Sequence, residues 1–160
     1  MNAEANIHAV CLVVGERGVL IRGPSGSGKS TLALALIGRA SAAGMFASVV
    51  ADDRVLVAEH SGRLVAGAPL SIAGLVEVFG LGPRHVETEF RAVVDLVVEL
   101  TSAKDAPRLS DDPACVIAGC ELPLLMLAER NAAGSDQAIL AWLGWPPFVS
   151  TQPLVKTASL

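Results

Sequence analysis

The sequence predicts one α/β domain, rich in strands and poor in helices, built around a phosphate-binding loop. Three observations lead there. Short runs rich in valine, isoleucine and leucine recur across residues 7–100, bounded by glycine and acidic turns. A single alanine- and leucine-rich stretch of helical length follows directly on a glycine-rich segment. The 160 residues are enough for one core and cramped for two.

In chain order, residues 7–14 form an apolar run that reads as a buried strand, and Gly15-Glu16-Arg17-Gly18 turns it into a second strand at 19–21. Residues 31–43 read as a helix that Gly44 ends. Residues 45–50 form the next strand, running into Ala51-Asp52-Asp53. Residues 55–58 and 64–66 pair as a hairpin across Glu59-His60-Ser61-Gly62-Arg63. A short strand at 75–79 stops at Gly80-Leu81-Gly82-Pro83. Residues 91–100, with four valines, are a strand in spite of Asp95 and Glu99. Residues 104–113 are a Pro-flanked loop, followed by apolar stretches at 115–118 and 124–127. A helix capped at Ser135-Asp136 is expected to run to Leu143. The domain is thus expected over 1–145, with an irregular tail over 146–160. The strands outnumber the helices, so this is not a regular βαβ alternation.

Composition narrows the function classes. The formal charge of −4 argues against duplex nucleic acid as a partner, since phosphate neutralisation needs a basic surface. The chain is 52% hydrophobic, yet no uncharged apolar run is long enough to span a bilayer, so no membrane partner is expected. Residues 1–6 carry Glu4 and no cation, unlike a signal peptide. Cys11, Cys115 and Cys120 are odd in number and lack C-x-x-C spacing, which points to free thiols in the cytoplasm. The apolar excess on so small a domain points to burial between subunits.

Gly23-Pro24-Ser25-Gly26-Ser27-Gly28-Lys29-Ser30 is the G-x-x-x-x-G-K-S pattern, with a strand before it and a helix, starting at Thr31, after it. Glycines let successive backbone N–H groups turn inward towards phosphate oxygens. The helix N-terminus adds its partial positive charge. Lys29 would reach the terminal phosphates and Ser30 would ligate Mg²⁺. The motif does not name a reaction: a small-molecule kinase or ATPase, or a nucleotide sensor without turnover, would carry it too. Two carboxylates, Asp52 and Asp53, end the strand after the helix; the spacing alone suits metal or base chemistry and an ordinary acidic turn equally. Glu77 stands among apolar neighbours in Leu75-Val76-Glu77-Val78-Phe79 and has to face solvent, a metal or a cation. His60 and His85 sit in turn and loop segments and read as solvated. Trp142, Trp145 and Phe148 read as packing residues.

Taken in order, Ile7-His8-Ala9, the loop, Ala51-Asp52-Asp53 and Glu77-Val78-Phe79-Gly80-Leu81-Gly82 resemble the catalytic domain of the HPr kinase/phosphorylase family, over roughly residues 6–131. The resemblance implies a fold related to phosphoenolpyruvate carboxykinase, a short form without the N-terminal regulatory domain, and hexamers. It implies an ATP- and Mg²⁺-dependent kinase that phosphorylates a serine of the phosphocarrier HPr and removes that phosphate by phosphorolysis. Carried over by position, Lys29 holds phosphates, Ser30 and Glu77 match the metal ligands with Asp52 in support, and Asp53 matches the base. His8 matches the active-site histidine and Arg108 the catalytic arginine. Arg130-Asn131 resembles the end of a segment tied to dephosphorylation. The chain departs from the family at Phe79, where arginine is usual, and at Ala128-Glu129, where Pro-Gly is usual.

Overall fold

The computed structural model describes residues 4–149. The element order is β1 (Ala5–Val14), β2 (Arg17–Arg22), α1 (Lys29–Ala42), β3 (Ala47–Ala51), β4 (Arg54–His60) and β5 (Arg63–Gly67). A 3₁₀ turn (Leu70–Ile72) leads to β6 (Leu75–Val78), β7 (Gly82–His85), β8 (Arg91–Thr101), β9 (Ala114–Ile117), β10 (Cys120–Ala128) and α2 (Ala132–Leu143). The strand-rich α/β class is the one the sequence predicts. Among the described residues no helix is long and apolar enough to cross a membrane.

Two long strands organise the sheet by changing partners along their length. The start of β1, at residues 5–8, pairs with β4; the rest pairs with β2 on one side and, from Cys11, with β3 on the other. Likewise β8 begins antiparallel to β5, then runs parallel to β2 and finally to β10. As a result β1, β2, β8, β5 and β4 pair round into a closed ring. β3 lies outside this ring on β1, and β10 with β9 outside it on β8.

Each face of this sheet has its own core. Val10, Leu12, Val19, Ile21, Leu96 and Val98 pack against Leu32 and Leu36 of α1 and Ile139 and Leu140 of α2. Ala9, Cys11, Leu20 and Val97 point the other way, meeting Val55, Val57, Leu64 and Ala66 of β4 and β5 inside the ring. Both faces of β1, β2 and β8 are therefore buried, which is why their sequences are nearly unbroken apolar runs. The register shifts between Gly18 and Val19, so Val94 and Leu96 face opposite cores although two residues apart. At that shift a Cβ on Gly18 would lie 2.0 Å from the Val93 carbonyl oxygen, so only glycine fits.

Two expectations need correction. α2 starts at Ala132, not at Ser135-Asp136. Those two residues are buried inside the helix, where Asp136 meets Arg39 of α1 at 3.4 Å and the Ser135 hydroxyl donates to the Ala128 carbonyl of β10 at 3.5 Å; their polarity serves tertiary contacts and not a cap. The stretch after Gly80 does not simply end a strand, because Gly82–His85 returns as β7 against β6. The two late apolar stretches are strands of one antiparallel pair, and the second runs through Pro123. Trp142 and Trp145 pack on the helix-side core. Residues 146–149 carry neither helix nor strand, and the remainder of the expected tail lies outside the described residues.

Candidate functional site

The loop between β2 and α1 opens on a cleft of about 790 Å³. Gly26 and Gly28 take φ of +78° and +92°, conformations that glycine adopts without strain. Gly23 is required for a different reason: a Cβ there would lie 3.0 Å from the Leu100 carbonyl oxygen and 2.9 Å from Ser27 Oγ. Ser25, Gly26, Gly28, Lys29, Ser30 and Thr31 line the cleft, whereas Gly23, Pro24 and Ser27 do not. Lys29 Nζ donates to the carbonyls of Gly23 and Pro24, both at 3.0 Å, which fixes the ammonium within its own loop. Burial pulls the Lys29 pKa below the ordinary lysine value, while Asp53, Asp52 and Glu99 pull it back up.

The consecutive carboxylates are turned to different tasks. Asp52 is buried; its Oδ1 accepts the Ser30 hydroxyl at 2.6 Å and its Oδ2 accepts the Glu77 N–H at 2.8 Å. Asp53 takes φ of +69°, which sends its side chain outward, where it is 67% exposed and lies 3.0 Å from His8 Nε2. The start of β1 holds His8 in place, opposite Arg54 of β4. Glu77 lines the cleft from β6 with its side chain exposed, and Phe79 at the hairpin tip is 97% exposed.

Arg108 is not brought to this cleft; it is exposed on the segment between β8 and β9 and does not line the cavity. Arg130 does line it. The Arg130 N–H donates to the Ser27 carbonyl at 2.9 Å and its Nε to the Gly26 carbonyl at 3.2 Å, so it braces the loop from the side. Its φ of +53° is costly for a residue with a Cβ, the kind of strain that collects at functional sites. Sequence reasoning passed over Arg130 as a site residue, although Arg130-Asn131 was the available signal. The cleft therefore sets two cations, Lys29 and Arg130, against three carboxylates, Asp52, Asp53 and Glu77. His60 and His85 are exposed and away from it.

The family model described as the HPr Serine kinase C-terminal domain matches residues 1–120. This chain belongs to that family. Among curated relatives, HPr kinase/phosphorylase of Clostridium tetani is 42% identical over 79 residues, covering 49% of this chain and 24% of the relative. HPr kinase/phosphorylase of Enterococcus faecalis is 37% identical over 149 residues, covering 86% of this chain and 45% of the relative. The chain thus spans less than half the length of these relatives. The solved Hpr(Ser) kinase/phosphatase from Coxiella burnetii aligns with a TM-score of 0.70 at 25% identity, over 84% of this chain and 93% of that one. This member of the family keeps the loop, the carboxylate pair and the Glu77 hairpin on one cleft.

Proposed function

We propose that this domain is an ATP-dependent protein-serine kinase for an HPr-type phosphocarrier and also runs the reverse phosphorolysis at the same site. One observation carries the reading: a glycine-rich loop with Lys29 shares a cleft with an accessible Asp53 that is paired with His8. Membership of the family supports it, as do the names of the relatives. Relation to phosphoenolpyruvate carboxykinase, a catalytic unit over residues 1–145 and assembly as a hexamer belong to the same reading. Leu70, Phe79 and Phe90, all more than 70% exposed, supply apolar surface for partners. The three free cysteines suit the cytoplasm.

The residues present fit a nucleotide with Mg²⁺. Ser30, Asp52 and Glu77 offer only oxygen, the donor type that magnesium takes, and the carboxylates outnumber the fixed cations. When bound, the ion would neutralise charge on the phosphates. The loop amides and Lys29 would hold the phosphates in line with the acceptor hydroxyl, and Arg130 would add a second cation. Asp53 then accepts the proton of the serine hydroxyl as its oxygen attacks the terminal phosphorus. His8 orients the Asp53 carboxylate through its Nε2 contact. In reverse, inorganic phosphate attacks phosphoserine, protonated Asp53 returns the proton to the departing serine oxygen, and pyrophosphate leaves.

Labelled ATP with an HPr-type phosphocarrier from the same cell tests this reading, and label on a serine of the carrier is the expected result. ATP consumption that ignores the carrier would make the domain a small-molecule kinase or ATPase. Binding with no turnover would make it a sensor.

A further inference from the structure

The hairpin β6–β7 forms a two-stranded sheet of its own, separate from the main sheet. Val76 anchors it by burial at 2% exposure, while Gly74, Gly80 and Gly82 bend the chain at its base and tip with positive φ. Among the described residues, a single hydrogen bond ties the two strands to the rest of the chain: Glu77 N–H to Asp52 Oδ2, at 2.8 Å. The other oxygen of that carboxylate holds the Ser30 hydroxyl at 2.6 Å, at the first turn of α1. The carboxylate is 5% exposed, so water competes little for either bond.

From this we infer that Asp52 is a positioning residue that joins the phosphate loop to the Glu77 hairpin, so that loading the loop and setting the hairpin over the cleft are coupled. The coupling rests on the nucleotide reading above; the tether itself does not. Any ligand that draws on the Ser30 hydroxyl changes the hydrogen bonding of the Asp52 carboxylate, and through Oδ2 it changes the hold on the Glu77 amide. By linkage, whatever fixes the hairpin tip at Phe79 must then alter ligand affinity at the loop by the same factor. A carboxylate that only helped to hold a metal would not need its second oxygen on a backbone amide of another element.

Residue-resolved amide hydrogen exchange tests the tether in the nucleotide-free protein. In Asp52→Ala the Glu77 amide should exchange about tenfold faster or more, since bonds to charged acceptors are worth that much. Amides of β1 and β8 should keep their protection. Asp52→Asn should restore most of the Glu77 protection, because the amide oxygen still accepts from Glu77 N–H. An unchanged Glu77 rate in Asp52→Ala, or an equal rise across β1 and β8, overturns the tether. Failure of the Asn variant to restore protection overturns it as well. The coupling has its own arm: wild-type protein titrated with Mg²⁺·ADP, with binding followed by calorimetry and exchange measured in parallel. A shift of at least about threefold in the Glu77 rate on binding, lost in Asp52→Ala at matched saturation, is the expected result. Binding with no shift overturns the coupling. Absence of binding in wild type overturns the coupling together with the nucleotide reading, and the nucleotide-free exchange then judges the tether alone.

Discussion

At the scale of single residues, the site turns on how neighbouring side chains are sent in opposite directions. The left-handed backbone of Asp53 gives that carboxylate to His8 and the open cleft, while Asp52 stays buried on Ser30 and Glu77. Asp53→Asn should therefore depress transfer in both directions by about 10²–10⁴-fold, the usual worth of general acid–base help. Nucleotide affinity, measured by calorimetry, should change far less. Normal transfer in both directions would move the base elsewhere. The sequence showed two adjacent acids after a strand but not which one faces the cleft, because a positive φ at a non-glycine residue leaves no mark in composition. Lys29 makes a separate prediction. Its pKa is lowered in the fold by burial, so between that value and the ordinary 10.5 the unfolded chain binds more protons. Stability should rise with pH across that window as the cost of the buried charge is relieved. Thermal unfolding from pH 7 to 10.5 (the reference value for lysine) should show a more positive stability–pH slope for wild type than for Lys29→Met. Parallel slopes would mean that the buried ammonium costs the fold nothing.

At the scale of elements, the strands with two buried faces were the most legible, since β1, β2 and β8 write their position as unbroken apolar runs. The loop and α1 were equally plain, because glycine spacing and the Lys-Ser pair are set by chemistry that tolerates little substitution. The β6–β7 hairpin was half visible: Gly82 and Pro83 are poor strand residues, so β7 looked like a turn. The start of α2 was misjudged because Ser135 and Asp136 have cap chemistry but spend it on buried tertiary contacts. With that earlier start Ala132, the first helical residue, lines the cleft wall together with Arg130. Arg130→Gly and Arg130→Ala should lose transfer activity alike, since both remove the guanidinium. They should differ in stability, with glycine the more stable by about 1 kcal/mol because it adopts φ of +53° freely. Denaturant unfolding of the pair decides this. Equal stability would show that the backbone there relaxes out of the left-handed region once the side chain is gone.

At the scale of the molecule, the closed ring of five strands decides how the site is held. β1 carries His8 in the part paired with β4, while the same strand reaches β2 and β3, which lead into the loop and into Asp52-Asp53. The cleft residues are thus fixed by one continuous hydrogen-bonded frame and not by separate layers. The pairing that closes the frame is β2 on β8, and Gly18 leaves no room for a Cβ within it. There the Gly18 N–H donates to Asp95 Oδ2 at 3.1 Å, and Asp95 Oδ1 in turn holds Arg63 of β5 at the same distance. Gly18→Ala would drive a methyl group into the Val93 carbonyl, so β2 and β8 have to separate locally. Overpacking of this kind costs about 3 kcal/mol, more than a surface glycine change. Because the ring is shared by both cores, the loss should appear as one cooperative shift of the whole unfolding transition. Gly62→Ala, in the open β4–β5 turn, also changes a glycine but puts its Cβ into free space, so it serves as the control and pays only for its φ of +79°. Denaturant unfolding followed both by tryptophan fluorescence, from Trp142 and Trp145 on the helix side, and by far-ultraviolet dichroism should give coincident, equally shifted curves for Gly18→Ala. Separated transitions would show that the two cores unfold apart, and that the ring does not couple His8 to the loop.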